Sequence, residues 1–81
     1  NSMTETERLK ERLKDISSME SFTIRQRVDA MLKIDAEMYM ELGITSTLRE
    51  RKETKAKSLI IYTEIKRLDP RENFVLINLD K

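Results

Sequence analysis

The side chains in this sequence able to do acid–base or covalent chemistry are carboxylates, lysines, two tyrosines and hydroxyls, because its 81 residues include neither cysteine nor histidine. That inventory excludes disulfides, thiolate or imidazole zinc sites, and a Cys or His acting as nucleophile or base near neutral pH. A carboxylate pair for glycoside hydrolysis, a lysine nucleophile and an all-acid magnesium site remain open by residue type. None has the spacing such chemistry needs. The 15 acids are interleaved with 16 Lys and Arg, three or four positions apart, as on a solvated helix surface. A single glycine makes no phosphate-cradling loop. The expectation is a protein without enzymatic activity, metal, cofactor or small-molecule substrate.

One acid is out of pattern. At 100° per residue Asp35 projects to the middle of an apolar arc that includes Met31, Leu32 and Tyr39, where a carboxylate is costly unless paired or hydrogen-bonded. Asp35 meets an Arg, Lys or Tyr from a neighbouring helix, or the arc is only partly covered there, or it marks an opening where a partner docks a basic or hydroxyl group. A second feature is electrostatic. Residues 44–69 carry seven basic and four acidic side chains, a local charge of +3, against −2 for the first 43 residues and +1 for the whole chain. Arg49, Arg51, Lys52 and Lys55 are the candidate nucleic-acid contacts. Lys52, Lys55 and Lys66 share a helical stripe with Leu48 and Leu59, while Glu50, Glu53 and Glu64 project elsewhere.

The stretch Leu42-Gly43-Ile44-Thr45-Ser46-Thr47-Leu48-Arg49 resembles the turn of a helix-turn-helix DNA-binding motif: a glycine, an apolar residue, a hydroxyl cap and an apolar residue opening the next helix. The resemblance covers about ten residues. It departs from the motif in the shorter Gly43–Leu48 spacing, in Tyr39 where a small residue is usual, and in the length of the preceding helix. It implies a small DNA-binding regulator. No stacking platform for single strands accompanies it, since Phe22, Tyr39, Tyr62 and Phe74 are the only rings and most lie on apolar faces.

The elements that must position these residues are helices. One glycine and one proline in 81 residues leave few breaks. Three capping boxes, Thr4 with Glu7, Thr23 with Gln26 and Thr47 with Glu50, mark three helix starts. The first helix carries a narrow seam of Leu9, Leu13, Ile16 and Met19 and ends at the serines 17, 18 and 21. The second carries Ile24, Val28, Met31, Leu32, Met38, Tyr39 and Leu42, and is expected to end at a left-handed Gly43 with Ile44 as its hydrophobic contact. The third runs from Leu48 to about Leu68, polar first and apolar later, and stops before Pro70. Residues 59–65 also read as a strand if Phe74–Leu79 is its partner; the helix former content of residues 48–58 favours the helix.

The resulting fold is mainly α: a small three-helix domain over residues 3–69, built as a helical hairpin plus an N-terminal amphipathic helix. Asn1 and Ser2 read as a cloning remnant before Met3, and residues 70–81 as an extended C-terminal arm or strand. No apolar run approaches the ~20 residues of a membrane span, so a soluble, cytoplasmic protein without membrane contact is expected. The seam on the first helix, Leu59 and Ile60 on the third, and the apolar arm amount to more hydrophobic surface than three helices readily cover. The expected function is protein–protein interaction by a small helical adaptor, inhibitor or regulatory subunit, with self-association as the simplest form. Leu59, Ile60, Phe74, Val75, Ile77 and Met40 are the candidate partner contacts. DNA binding through Arg49, Arg51, Lys52 and Lys55 is the competing expectation.

Overall fold

A computed structural model describes residues 3–70. Within them the chain forms three helices, α1 (Glu5–Ser17), α2 (Ile24–Met40) and α3 (Leu48–Leu68), and the mainly α expectation holds. Each begins at the expected threonine. Thr4, Thr23 and Thr47 accept a hydrogen bond from the backbone N–H three residues on, while the side chains of Glu7, Gln26 and Glu50 accept from the threonine N–H. Two otherwise unpaired donors are thereby satisfied at every helix start.

The caps make a pH prediction. Hydrogen bonding from Thr4 and Thr47, backbone first and hydroxyl second, holds the carboxyls of Glu7 and Glu50 below their ordinary value, against a small opposing effect of desolvation. A carboxylate lowered in the folded state adds stability that is present above its unfolded pKa and is lost as pH falls through the folded one. The starts of α1 and α3 should therefore fray on acidification below the usual glutamate range, while the Gln26-capped start of α2 does not. Amide hydrogen exchange at residues 5–8, 24–27 and 48–51 across an acid titration reads this directly; equal loss of protection at all three starts would contradict it.

The three helices pack around one thin core. Leu9, Leu13 and Ile16 from α1, Val28, Met31 and Ile34 from α2, and Ile61 and Ile65 from α3 are its buried apolar side chains. Ala30, Leu32, Met38, Ile60, Tyr62 and Leu68 pack against its margin. Two polar contacts fix α1 against α3: Lys57 Nζ lies 3.1 Å from Glu5 Oε1, and the Ser17 hydroxyl donates to Glu64 Oε2 at 3.0 Å. Because residue numbers rise together in these pairs, α1 and α3 run the same general way and α2 runs back between them. The Arg27 side chain closes the first connection by donating from Nε to the Met19 carbonyl at 2.7 Å and from Nη1 to the Ser17 carbonyl at 3.3 Å. A guanidinium there also suits the negative end of α1.

Two expectations are corrected and one alternative falls away. α2 ends at Met40 with Glu41 as its cap, short of Gly43, and no described glycine has a positive φ. The Gly43 carbonyl instead accepts from the Ser46 N–H at 3.0 Å and from the Ser46 hydroxyl, an ordinary turn. Ile44 makes no capping contact; it is 98% exposed. The physical reason lies in residues 43–47, a glycine followed by β-branched and hydroxyl residues that disfavour helix, so the chain leaves the helix before the glycine is needed. Residues 59–65 are helical throughout, as the favoured reading had them, which removes the strand alternative. The arm at 71–81 lies outside the described residues.

α3 is divided as its composition demands. Its buried positions are Ser58, Ile61 and Ile65, all in the second half, whereas Leu48 to Glu53 are exposed. The polar first half stands clear of the core.

Candidate protein-binding surfaces

Two apolar surfaces are left open by this packing. The first is a groove of about 570 Å³ between α1 and α3, lined by Lys10, Leu13, Lys14, Leu59, Ile60, Thr63, Glu64 and Arg67. It arises because Leu13 faces inward from α1 while α3 turns Ile61 and Ile65 to the core, which leaves the neighbouring Leu59 and Ile60 at the seam between the helices. Leu59 is 46% exposed and Ile60 half-buried. The rim is charged. Glu64 Oε2 is held by both the Ser17 hydroxyl and Arg67 Nη2, at 3.0 and 3.1 Å, while Lys10 and Lys14 form no ion pair within 4.0 Å among the described residues.

The second surface lies at the α2–α3 connection. Met40 is 81% exposed, Ile44 98% and Leu48 69%, three large apolar side chains within nine positions. Leu48 also borders a shallow concavity with Arg49, Lys52, Glu53 and Ala56. Met40 was an expected contact; Ile44 and Leu48 were not, because a capping role for one and a helix-opening role for the other explained them too readily. Sequence does carry the signal: both stand outside any helical repeat that reaches the core.

Of the expected partner contacts, the structure brings Leu59 and Ile60 together in the groove and places Met40 on the other surface. Phe74, Val75 and Ile77 lie outside the described residues. Lys10, Lys14, Thr63, Glu64 and Arg67 were not anticipated as lining residues, although Lys10 and Lys14 stand four apart, on one face of α1.

The candidate nucleic-acid contacts lie on the exposed half of α3. Arg49 Nε is 3.2 Å from Glu53 Oε1, one turn along the helix, and Glu53 lines the same shallow concavity as Leu48 and Lys52. Arg51 and Lys52 are exposed and Lys55 is half-buried. The connection between α2 and α3 spans the seven residues 41–47, longer than the three or four of a helix-turn-helix turn.

Asp35 is buried on α2 at 9% exposure, and its Oδ1 has no hydrogen-bond partner. On α3, Ser58 is fully buried with its Oγ equally unpartnered, a position that sequence reading missed. Burial, followed by the charges of Asp35 and Tyr39, pushes the Tyr62 hydroxyl above its ordinary pKa. Burial disfavours the phenolate directly, and a nearby carboxylate disfavours it by like-charge repulsion.

Among the described residues no group of three or more acids is placed to hold a metal ion, and no helix is long and apolar enough to cross a membrane. No known protein family, curated protein or solved structure matches the chain.

Proposed function

We propose that this chain is a protein–protein interaction module, a small helical adaptor, inhibitor or regulatory subunit that acts through apolar surfaces and not through catalysis. The observation that carries the reading is the exposure of Met40, Ile44 and Leu48 at the α2–α3 connection. Single exposed apolar residues are ordinary on a protein surface, whereas a local group of large ones marks an interaction site. The α1–α3 groove extends the same reading to a second face. Self-association is the simplest form, because an identical copy offers the same apolar patch across a two-fold axis.

The solution mass of the full chain should rise with concentration, and the Ile44→Ser, Leu48→Ser double variant should remain monomeric with its helical content intact, since both side chains are solvent-exposed. A chain monomeric at every concentration would remove self-association. Arg49, Arg51, Lys52 and Lys55 on the exposed half of α3 support duplex DNA as a second reading. Salt separates the two: phosphate-driven binding weakens steeply between about 50 and 200 mM salt, while an apolar interface holds.

A further inference from the structure

The groove between α1 and α3 has an apolar floor and lysines on both sides. Leu13 and Ile60 join the exposed Leu59 to make the floor. On the α1 side Lys10 and Lys14 are exposed, share one face of the helix, and make no ion pair within 4.0 Å among the described residues. On the α3 side the exposed Lys66 falls on the same helical stripe as Leu59. We propose that this groove receives an acidic amphipathic helix of another protein, its apolar side chains on Leu13, Leu59 and Ile60 and its carboxylates against Lys10, Lys14 and Lys66. The inference rests on reading the groove as a second face of an interaction module.

The acids around the groove do not neutralise these lysines. Glu64 Oε2 accepts from the Ser17 hydroxyl and pairs with Arg67 Nη2, so that rim pair carries no net charge. Glu7, whose carboxyl is lowered first by its backbone hydrogen bond from Thr4 and least by Lys10, is held at the α1 start by the Thr4 N–H. Glu11, three positions before Lys14, makes no ion pair with it. What remains is positive charge flanking an apolar floor. A nucleic-acid backbone would meet the lysines and bury little on the floor, whereas carboxylates beside an apolar stripe satisfy both.

The shape of the groove suits a helix. From Leu59 to Arg67, α3 rises roughly 12 Å at about 1.5 Å per residue, a little over two turns. Because α1 and α3 run the same general way, a further helix seats along the seam between them and reads it through apolar anchors three and four positions apart. A second copy is a poorer match among the described residues. Its own groove repeats the lysines. Its α2–α3 connection offers Met40, Ile44 and Leu48, but residues 40–55 hold four basic and three acidic side chains. Its α1–α2 connection exposes Met19, Phe22 and Ile24 with Glu20 as the one acid among them. Charge therefore divides the two apolar surfaces by occupant: the connection for another copy, the groove for an acidic partner.

The probe is a set of fluorescein-labelled peptides of about 15 residues, long enough to form a helix on binding, in which Leu, Ile or Phe recur every three or four positions among glutamates; a matching set carries lysines instead. The full chain should bind acidic peptides and not their lysine counterparts, with amide shifts at residues 10–14 and 59–67 and none at 25–29 on α2. Leu59→Asp, at a half-exposed position that does not carry the core, should weaken binding about tenfold or more, since it sets a carboxylate against carboxylates. The Lys10→Glu, Lys14→Glu double variant should lose the acidic peptides and gain the lysine ones, with helical content unchanged in both proteins. No binding by any acidic peptide, or equal binding of the two sets, overturns the proposal. So does Leu59→Asp abolishing a concentration-dependent rise in mass, which would assign the groove to a second copy, or duplex DNA displacing the peptides, which would assign it to phosphates. A chain that takes acidic peptides yet stays monomeric keeps the groove and loses self-association, so the two failures are distinguishable.

Discussion

Replacing Ile61 with alanine should lower the stability of the full chain by about 2–5 kcal/mol, the range for truncating a large buried aliphatic side chain. Few positions have less slack. Ile61 is fully buried on α3 and belongs to a core of eight apolar side chains among the described residues, only two of them from α3. The loss combines the removed transfer free energy with a cavity that helices fixed by neighbouring contacts cannot close. A hydrophobic core in a small domain rarely supplies more than about 3–5 kcal/mol of net stability, so the variant should lose a large part of it. Urea unfolding followed by helical circular dichroism measures it. Leu59→Ala, on the same helix but 46% exposed, is the control and should cost far less. Equal midpoints for the two variants would mean that the core is not centred where Ile61 lies.

The contrast between Ile61 and Leu59 shows what the sequence could and could not reveal. Helix starts were legible because a capping box is a local chemical device: Thr47 and Glu50 satisfy each other's backbone donors whatever surrounds them. The run from Leu48 to Leu68 was legible because nothing in it opposes a helix. The rest depends on neighbours. Ile60 and Ile61 are adjacent and identical, and only the placement of α1 and α2 decides that one is fully buried and the other borders a groove. Ile34 joined the core unanticipated for the same reason. At Gly43 a local rule failed: a glycine after an apolar helix favours a left-handed cap only if the helix reaches it, and residues 43–47 end α2 first. Ser58 could not be found from its type at all, because serine is ordinarily a surface residue.

Asp35, buried with its Oδ1 unpartnered, yields the second large effect. Asp35→Leu should raise stability by roughly 1–3 kcal/mol, the desolvation penalty of a buried polar group left without a partner. The side chain lies in the apolar arc between Met31 and Tyr39, and its Oδ1 finds no donor. Leucine also favours helix over aspartate. The substitution has an independent readout at Tyr62. That hydroxyl is held above its ordinary pKa by burial first and by the Asp35 charge second, so Asp35→Leu should move its titration back toward the ordinary value by the Asp35 part alone. Phenolate absorbance in a Tyr39→Phe background isolates the shift. The sign for stability follows: a tyrosine raised in the folded state contributes stability that is complete below its unfolded pKa and is lost as pH rises through the folded one. Alkaline unfolding should therefore retain a Tyr62 component in Asp35→Leu, but a smaller one. If Asp35→Leu instead destabilises the isolated chain, the carboxylate has a partner in solution and its cost is already offset. If it stabilises the chain while weakening self-association, the acid is kept for the complex, where a basic or hydroxyl group from the partner satisfies Oδ1. The two measurements together decide whether this carboxylate is a flaw in a thin core or part of the binding surface.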